Sequence, residues 1–211
     1  MRVAELWRYP VKSLAGEQLD VVEVSAAGIP GDRVVQVYDT RGRTVTSRTS
    51  PRLLGLKGTL GPDGEPLVDG LPWTAPAVAA AIEAAAGPGA RLARDDGPDR
   101  FDVLPLLVAT DGAIDALGLD RRRFRPNILV GGVDGLAERA WPGRRARVGD
   151  AIVAFQELRG RCVMTTYDPD TLAQDAGVLR RIVREMDGRL ALDTHVVQGG
   201  RVAVGDPVEL L

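Results

Sequence analysis

Leu158-Arg159-Gly160-Arg161-Cys162-Val163-Met164-Thr165-Thr166-Tyr167-Asp168-Pro169-Asp170-Thr171 holds the only cysteine of the chain. Arg159 and Arg161 precede it, and an Asp-Pro-Asp turn follows the threonine pair. A core strand would not carry arginines so close together, so the segment reads as turn-rich chain beside a strand. Cations next to a thiol favour its thiolate, which is both the nucleophile and the soft metal ligand. Cys162 therefore stands as a catalytic thiol, as one ligand to a thiophilic metal, or as an inert residue packed like a small hydrophobe.

Outward from this stretch, Val178, Leu179, Ile182, Val183 and Met186 mark an amphipathic helix over 175–186, closed by Gly188. A strand over 190–197 follows it. Residues 147–153 and 203–209 share a strand, a Val-Gly-Asp turn and a strand, which predicts the same hairpin twice. Upstream, strands are predicted over 3–9, ended by Pro10, and over 19–24, 33–39, 44–46, 54–60, 103–109 and 128–130. A helix over 75–86 takes Thr74 as N-cap and stops at Gly87. A shorter one over 111–117 takes Thr110 as N-cap and ends at Gly118. Helices do not alternate with strands, so a doubly wound parallel sheet is not expected. The expected fold is α+β and mainly β, a β-barrel with packed helices fused to an N-terminal β-rich subdomain. The Asp95–Asp99 loop suggests a seam, with one unit over 1–98 and another over 99–211.

Composition narrows the chemistry. A net charge of −2 over 211 residues draws no nucleic acid. One cysteine excludes an internal disulfide or a protein-held iron–sulfur cluster, and one histidine leaves no Cys/His set for zinc. No apolar run is long enough to span a bilayer, and the N-terminus lacks an apolar leader, so a cytoplasmic protein is expected. Dinucleotide, P-loop and His-Glu-x-x-His signatures are absent, and His195, inside an apolar strand, reads as structural. What remains is a set of cations just after strand breaks: Lys12, Arg33, Arg48 and Arg121 to Arg125. With a helix N-terminus at Thr110 they suit a phosphate or another anion.

Tyr9-Pro10-Val11-Lys12-Ser13, Gly31-Asp32-Arg33, Arg123-Phe124-Arg125-Pro126-Asn127 and Arg161-Cys162-Val163-Met164-Thr165-Thr166-Tyr167-Asp168-Pro169-Asp170-Thr171 resemble, in order, the motifs of MOSC-domain proteins with an N-terminal MOSC β-barrel domain. The amidoxime-reducing components and their bacterial relatives are of this kind. The resemblance implies a molybdenum cofactor, a pterin dithiolene with a terminal phosphate. It implies that Cys162 is the catalytic residue and the thiolate ligand to molybdenum. Lys12, Ser13, Arg33 and Arg125 fall on positions that hold phosphate and pterin, and Thr110 and Asn127 on polar positions of the same pocket. The implied activity is reduction of small N-hydroxylated compounds with electrons from an external electron-transfer protein. A non-enzymatic carrier or sulfur-transfer protein for the cofactor is the alternative. Neither nucleic acid nor a membrane is an expected partner.

Overall fold

In the computed structural model, which describes residues 1–211, the apolar runs pair into one eight-stranded sheet. Its strands are β1 (Arg2–Arg8), β2 (Glu17–Leu19), β3 (Leu106–Thr110), β4 (Ile128–Gly131), β5 (Arg145–Val148), β6 (Ala151–Gly160), β7 (Arg189–Gln198) and β8 (Val208–Leu210). They lie in the order β8-β5-β6-β7-β3-β4-β1-β2. The helices are α1 (Pro76–Ala86), α2 (Asp111–Leu117) and α3 (Ala176–Met186). Only β3 and β4 pair in parallel within this sheet, and α2 lies in the connection between them.

Side chains alternate across the sheet, as the pleat requires. Leu6, Val108, Ile128, Val153 and Leu192 fall in a buried cluster on one face. Leu107, Ala109, Leu129 and Ala191 pack on the other against Ile114 and Leu117 of α2 and Ile182 and Met186 of α3. Both helices start on side-chain caps: Thr110 accepts from the Ala113 N–H and Asp175 from the Gly177 N–H. A separate core of Val11, Leu14, Val35, Leu53 and Ile82 holds the smaller unit, which α1 covers. That unit contains a sheet of 35–38, 44–45 and 91–94 and another of 58–60, 66–68 and 71–72.

The fold is α+β and mainly β, but the sheets are not closed into a barrel. The start of β1 meets the approach to β8 through an Arg2–Pro207 bridge rather than a ladder. The flanking residues make its hydrogen bonds, Val3 N to Asp206 O at 2.9 Å and Val208 N to Met1 O at 3.0 Å. The second Val-Gly-Asp segment is not a hairpin either. Residues 200–203 pair with 21–24, whereas β8 pairs with β5, so the chain changes sheets at Gly205-Asp206. The two similar segments lie side by side instead, Val148 opposite Val208.

Smaller departures have local causes. The strand over 19–24 splits at Asp20, the piece before it joining the large sheet and the piece after it pairing with 200–203. Residues 51–55 form a 3-10 turn, which shortens the next strand to 58–60. Thr74 caps nothing: α1 begins at Pro76 with Ala75 in the cap position, relying on proline's preset φ. β6 runs on to Gly160 and does carry Arg159, because Asp193 on β7 neutralises it, Nε to Oδ1 at 2.7 Å. His195 is exposed on β7 rather than packed.

Candidate functional site

A cleft of about 90 Å³ opens where residues 9–13 leave β1, residues 121–127 enter β4 and residues 159–164 leave β6. The structure brings Lys12, Ser13, Arg33, Arg125, Asn127 and Cys162 into its wall. Thr110 is not among them. It sits at the far end of β3, three residues past the cleft-lining Leu107, or roughly 10 Å at 3.3 Å per residue. Its hydroxyl is also spent, donating to Glu138 Oε2 at 2.8 Å and capping Ala113.

The hub beneath the cleft is Asp32, a fully buried carboxylate. Its Oδ1 accepts from Tyr9 N at 2.7 Å, and its Oδ2 from Asn127 Nδ2 at 3.2 Å and from the Arg33 guanidinium. Asn127 is committed in turn: Oδ1 accepts from Leu107 N at 3.1 Å and Nδ2 also donates to Trp7 O at 3.3 Å. Its side chain ties β1, β3 and the Gly-Asp-Arg turn together and has little capacity left for a ligand. Ser13, Arg33 and Arg125 each hold a left-handed backbone, with φ of 74°, 57° and 55°. Non-glycine residues adopt that region at a cost, and such outliers gather at ligand-binding sites.

Cys162 stands half-buried at the start of a 3-10 turn over Val163–Thr166. Its carbonyl accepts from Thr165 N at 3.1 Å and from Thr165 Oγ1 at 2.9 Å. Asp168 closes the following turn through the N–H groups of Asp170 and Thr171, which hold its carboxyl below the usual range. Arg123 Nη2 donates to Asp168 Oδ2 at 2.9 Å, and Arg122 grips Asp170 with two contacts of 2.7 Å. The Cys162 loop is therefore pinned to the segment that carries Arg125.

Cations dominate the wall. Lys12 Nζ and Arg48 Nη2 share the Asp102 carboxylate at 3.1 and 3.0 Å. Arg125 and Arg161 have no carboxylate partner, and burial lowers both to about 10. Arg125 lies 4.2 Å over the Tyr9 ring. Arg161 Nη2 donates to Phe124 O at 2.9 Å, while its Nε is buried without a partner. Ser47 is a second such case: its N–H donates to Ser13 Oγ at 3.1 Å, and its own hydroxyl is orphaned. Buried polar groups are nearly always paired, so Arg161 Nε, in the wall of the cleft, points to a polar ligand. No cluster of three or more His, Cys, Asp or Glu side chains that could hold a metal occurs anywhere in the chain.

Residues 1–85 match the MOSC N-terminal beta barrel domain and residues 108–209 match the MOSC domain. The chain belongs to the MOSC-domain family. Among curated relatives of this MOSC protein, mitochondrial amidoxime-reducing component 1 of Mus musculus is 26% identical across 99% of the chain and 82% of the relative. Mitochondrial amidoxime reducing component 2 of Macaca fascicularis is 27% identical across 80% of the chain and 67% of the relative. The solved YUAD protein from Bacillus subtilis superposes with a TM-score of 0.54 at 15% identity, covering 99% of this chain and 94% of that one, a likeness of fold. No helix of the MOSC chain is long and apolar enough to cross a membrane.

Sequence reasoning missed Asp102, Ser47 and the hub role of Asp32. Asp102 follows an acidic loop with nothing to single it out, and Ser47 lies in a run of polar residues. Asp32, beside Gly31, looked like a turn residue. The left-handed Arg33 that follows it is visible only in three dimensions.

Proposed function

We propose that this MOSC protein holds a molybdenum cofactor in the cleft and reduces N-hydroxylated compounds with electrons from an external donor protein. The observation that carries the reading is one half-buried thiol at the end of a cleft whose cations outnumber its carboxylates. A lone thiol cannot complete a metal site, so a metal here must arrive with its own ligands. A pterin dithiolene fits that need, with soft sulfur for the metal and an anionic end for the cations. When bound, such a cofactor supplies two-electron redox chemistry.

The chain's residues have separate tasks in this reading. Cys162 provides the thiolate ligand, and the pinned turn after it fixes the direction of the sulfur. Arg33, Ser13, Lys12 and Arg125 hold the anionic cofactor, Arg33 being oriented by Asp32. Arg161 offers its unpartnered Nε beside Cys162. Overall, an R–NH–OH substrate takes up two electrons and two protons and yields R–NH2 and water. The relatives' names refer to amidoxime reduction, and that chemistry is the N–O class proposed for this chain.

A carrier that hands the cofactor to a partner would favour an exposed thiol on a loose loop. Arginine–aspartate pairs tether the Cys162 loop instead, which supports catalysis at a retained metal. The test supplies loaded protein with a chemical reductant and an amidoxime, and separately with a cofactor-free acceptor enzyme. Turnover that Cys162→Ala abolishes is expected. Transfer to the acceptor without turnover would overturn the reductase reading in favour of the carrier.

A further inference from the structure

Arg123, Arg125 and Met164 are a shared wall: beyond them lies a second cavity of about 380 Å³, against about 90 Å³ for the cleft. The larger space reaches the volume of an ordinary ligand pocket, roughly 300–1,000 Å³, and the three shared residues join it to the cleft. Its far side is aromatic. The Trp7 and Tyr9 rings stack with centroids 6.5 Å apart and planes 14° from parallel. Tyr9 is buried and its Oη donates to Pro126 O at 3.1 Å. Gly16 lets that ring lie against the backbone, since a Cβ there would stand 2.5 Å from Tyr9 Cδ1. Trp7 is only half-buried, and its indole N–H donates to Glu5 at 2.8 Å, which Arg121 holds in turn.

The charges around the cavity are unequally committed. Arg122 and Arg123 are tied to Asp170 and Asp168. Lys57 and Arg125 have no carboxylate partner, and Lys57 is exposed. The cavity thus offers a flat, partly open indole together with one cation, Lys57, free to take a negative charge.

We infer that this cavity binds the body of the substrate, a flat aromatic ring bearing a negative charge, and thereby sets which N-hydroxylated compounds the chain accepts. The word substrate rests on the proposed function; the binding site does not. Aromatic stacking on Trp7 orients the ring, and Lys57 holds its charged substituent. The N–O group then points past Met164 toward Cys162.

The test uses calorimetry on cofactor-loaded protein with benzamidoxime bearing a para-carboxylate, uncharged benzamidoxime and acetamidoxime as probes. The charged aromatic probe should bind tightest and the aliphatic one weakest. Trp7→Ala should weaken both aromatic probes roughly 2- to 13-fold, the range of an aromatic pair, and leave acetamidoxime unchanged. Trp7→Phe should keep most of the affinity, and Lys57→Ala, at an exposed site, should weaken the charged probe alone. Equal affinity for all three probes, or indifference to both Trp7→Ala and Lys57→Ala, overturns the inference. Binding to cofactor-free protein that vanishes on loading also overturns it, because the cofactor would then fill the cavity. Trp7-dependent binding without turnover upholds the site and defeats the proposed reductase activity. Turnover of acetamidoxime with no aromatic preference does the reverse.

Discussion

Asp102→Asn should tighten the binding of inorganic phosphate to the cofactor-free cleft. Asp102 now sits between Lys12 Nζ at 3.1 Å and Arg48 Nη2 at 3.0 Å, cations well placed for an anion at the cleft mouth. Burial pushes its carboxyl up, but the attraction of Lys12 and then Arg48 outweighs this and leaves it below the usual range. The carboxylate is charged at neutral pH, and an incoming phosphate must displace it. Its side chain is 39% exposed, so solvent screens both pairs. Exposed pairs are worth roughly 0–1 kcal/mol each, so freeing these cations is worth on the order of 1–2 kcal/mol, about 5- to 30-fold in affinity. Asparagine keeps the size and removes only the charge. Titration calorimetry at fixed ionic strength reads the change directly. Unchanged or weaker binding would refute the reasoning, and weaker binding would mean that Asp102 aligns the cations instead of occupying them.

Asp32→Asn leaves Arg33 without its counter-charge in a buried site and should cost roughly 3–5 kcal/mol of stability, read from urea unfolding. A loss below about 1 kcal/mol would remove Asp32 as the hub. Glu138 is buried, and burial raises its carboxyl pKa despite donors from Thr110 and Ala191. A raised folded pKa means its contribution is full below the unfolded value and declines as pH climbs above 4.5. Glu138→Gln should therefore remove the decline in stability that sets in as pH rises above 4.5; a profile with that decline unchanged contradicts the assignment.

The helices were the most legible elements, because caps and stops are local chemistry: Thr110 and Gly118 bracket α2, and α3 runs from the Asp175 cap to a left-handed Asp187, one residue before the expected Gly188. Strand existence was legible from apolar runs, but partners were not. Nothing local tells 200–203 to leave 208–210 and pair with 21–24, since both choices bury Val202 and Val208. At the site, Lys12, Arg33 and Arg125 were singled out because charge after a strand break is unusual enough to notice, and Cys162 because it is the only cysteine, just after two arginines. Thr110 was singled out for its cap, and the cap is what it does. Asn127 was read as a ligand-facing polar group; it lines the cleft, and its hydrogen bonds go to Trp7, Asp32 and Leu107. Asp102 and Ser47 needed the fold, because their meaning comes from partners distant in sequence.

Elemental analysis of protein purified from a host that makes molybdopterin tests the central claim most directly. Wild-type protein is expected to carry about one molybdenum per chain, and Cys162→Ser to lose most of it, since a neutral alcohol poorly replaces a sulfur anion. Molybdenum absent from the wild type, or present at the same level in the Cys162→Ser protein, would contradict the account.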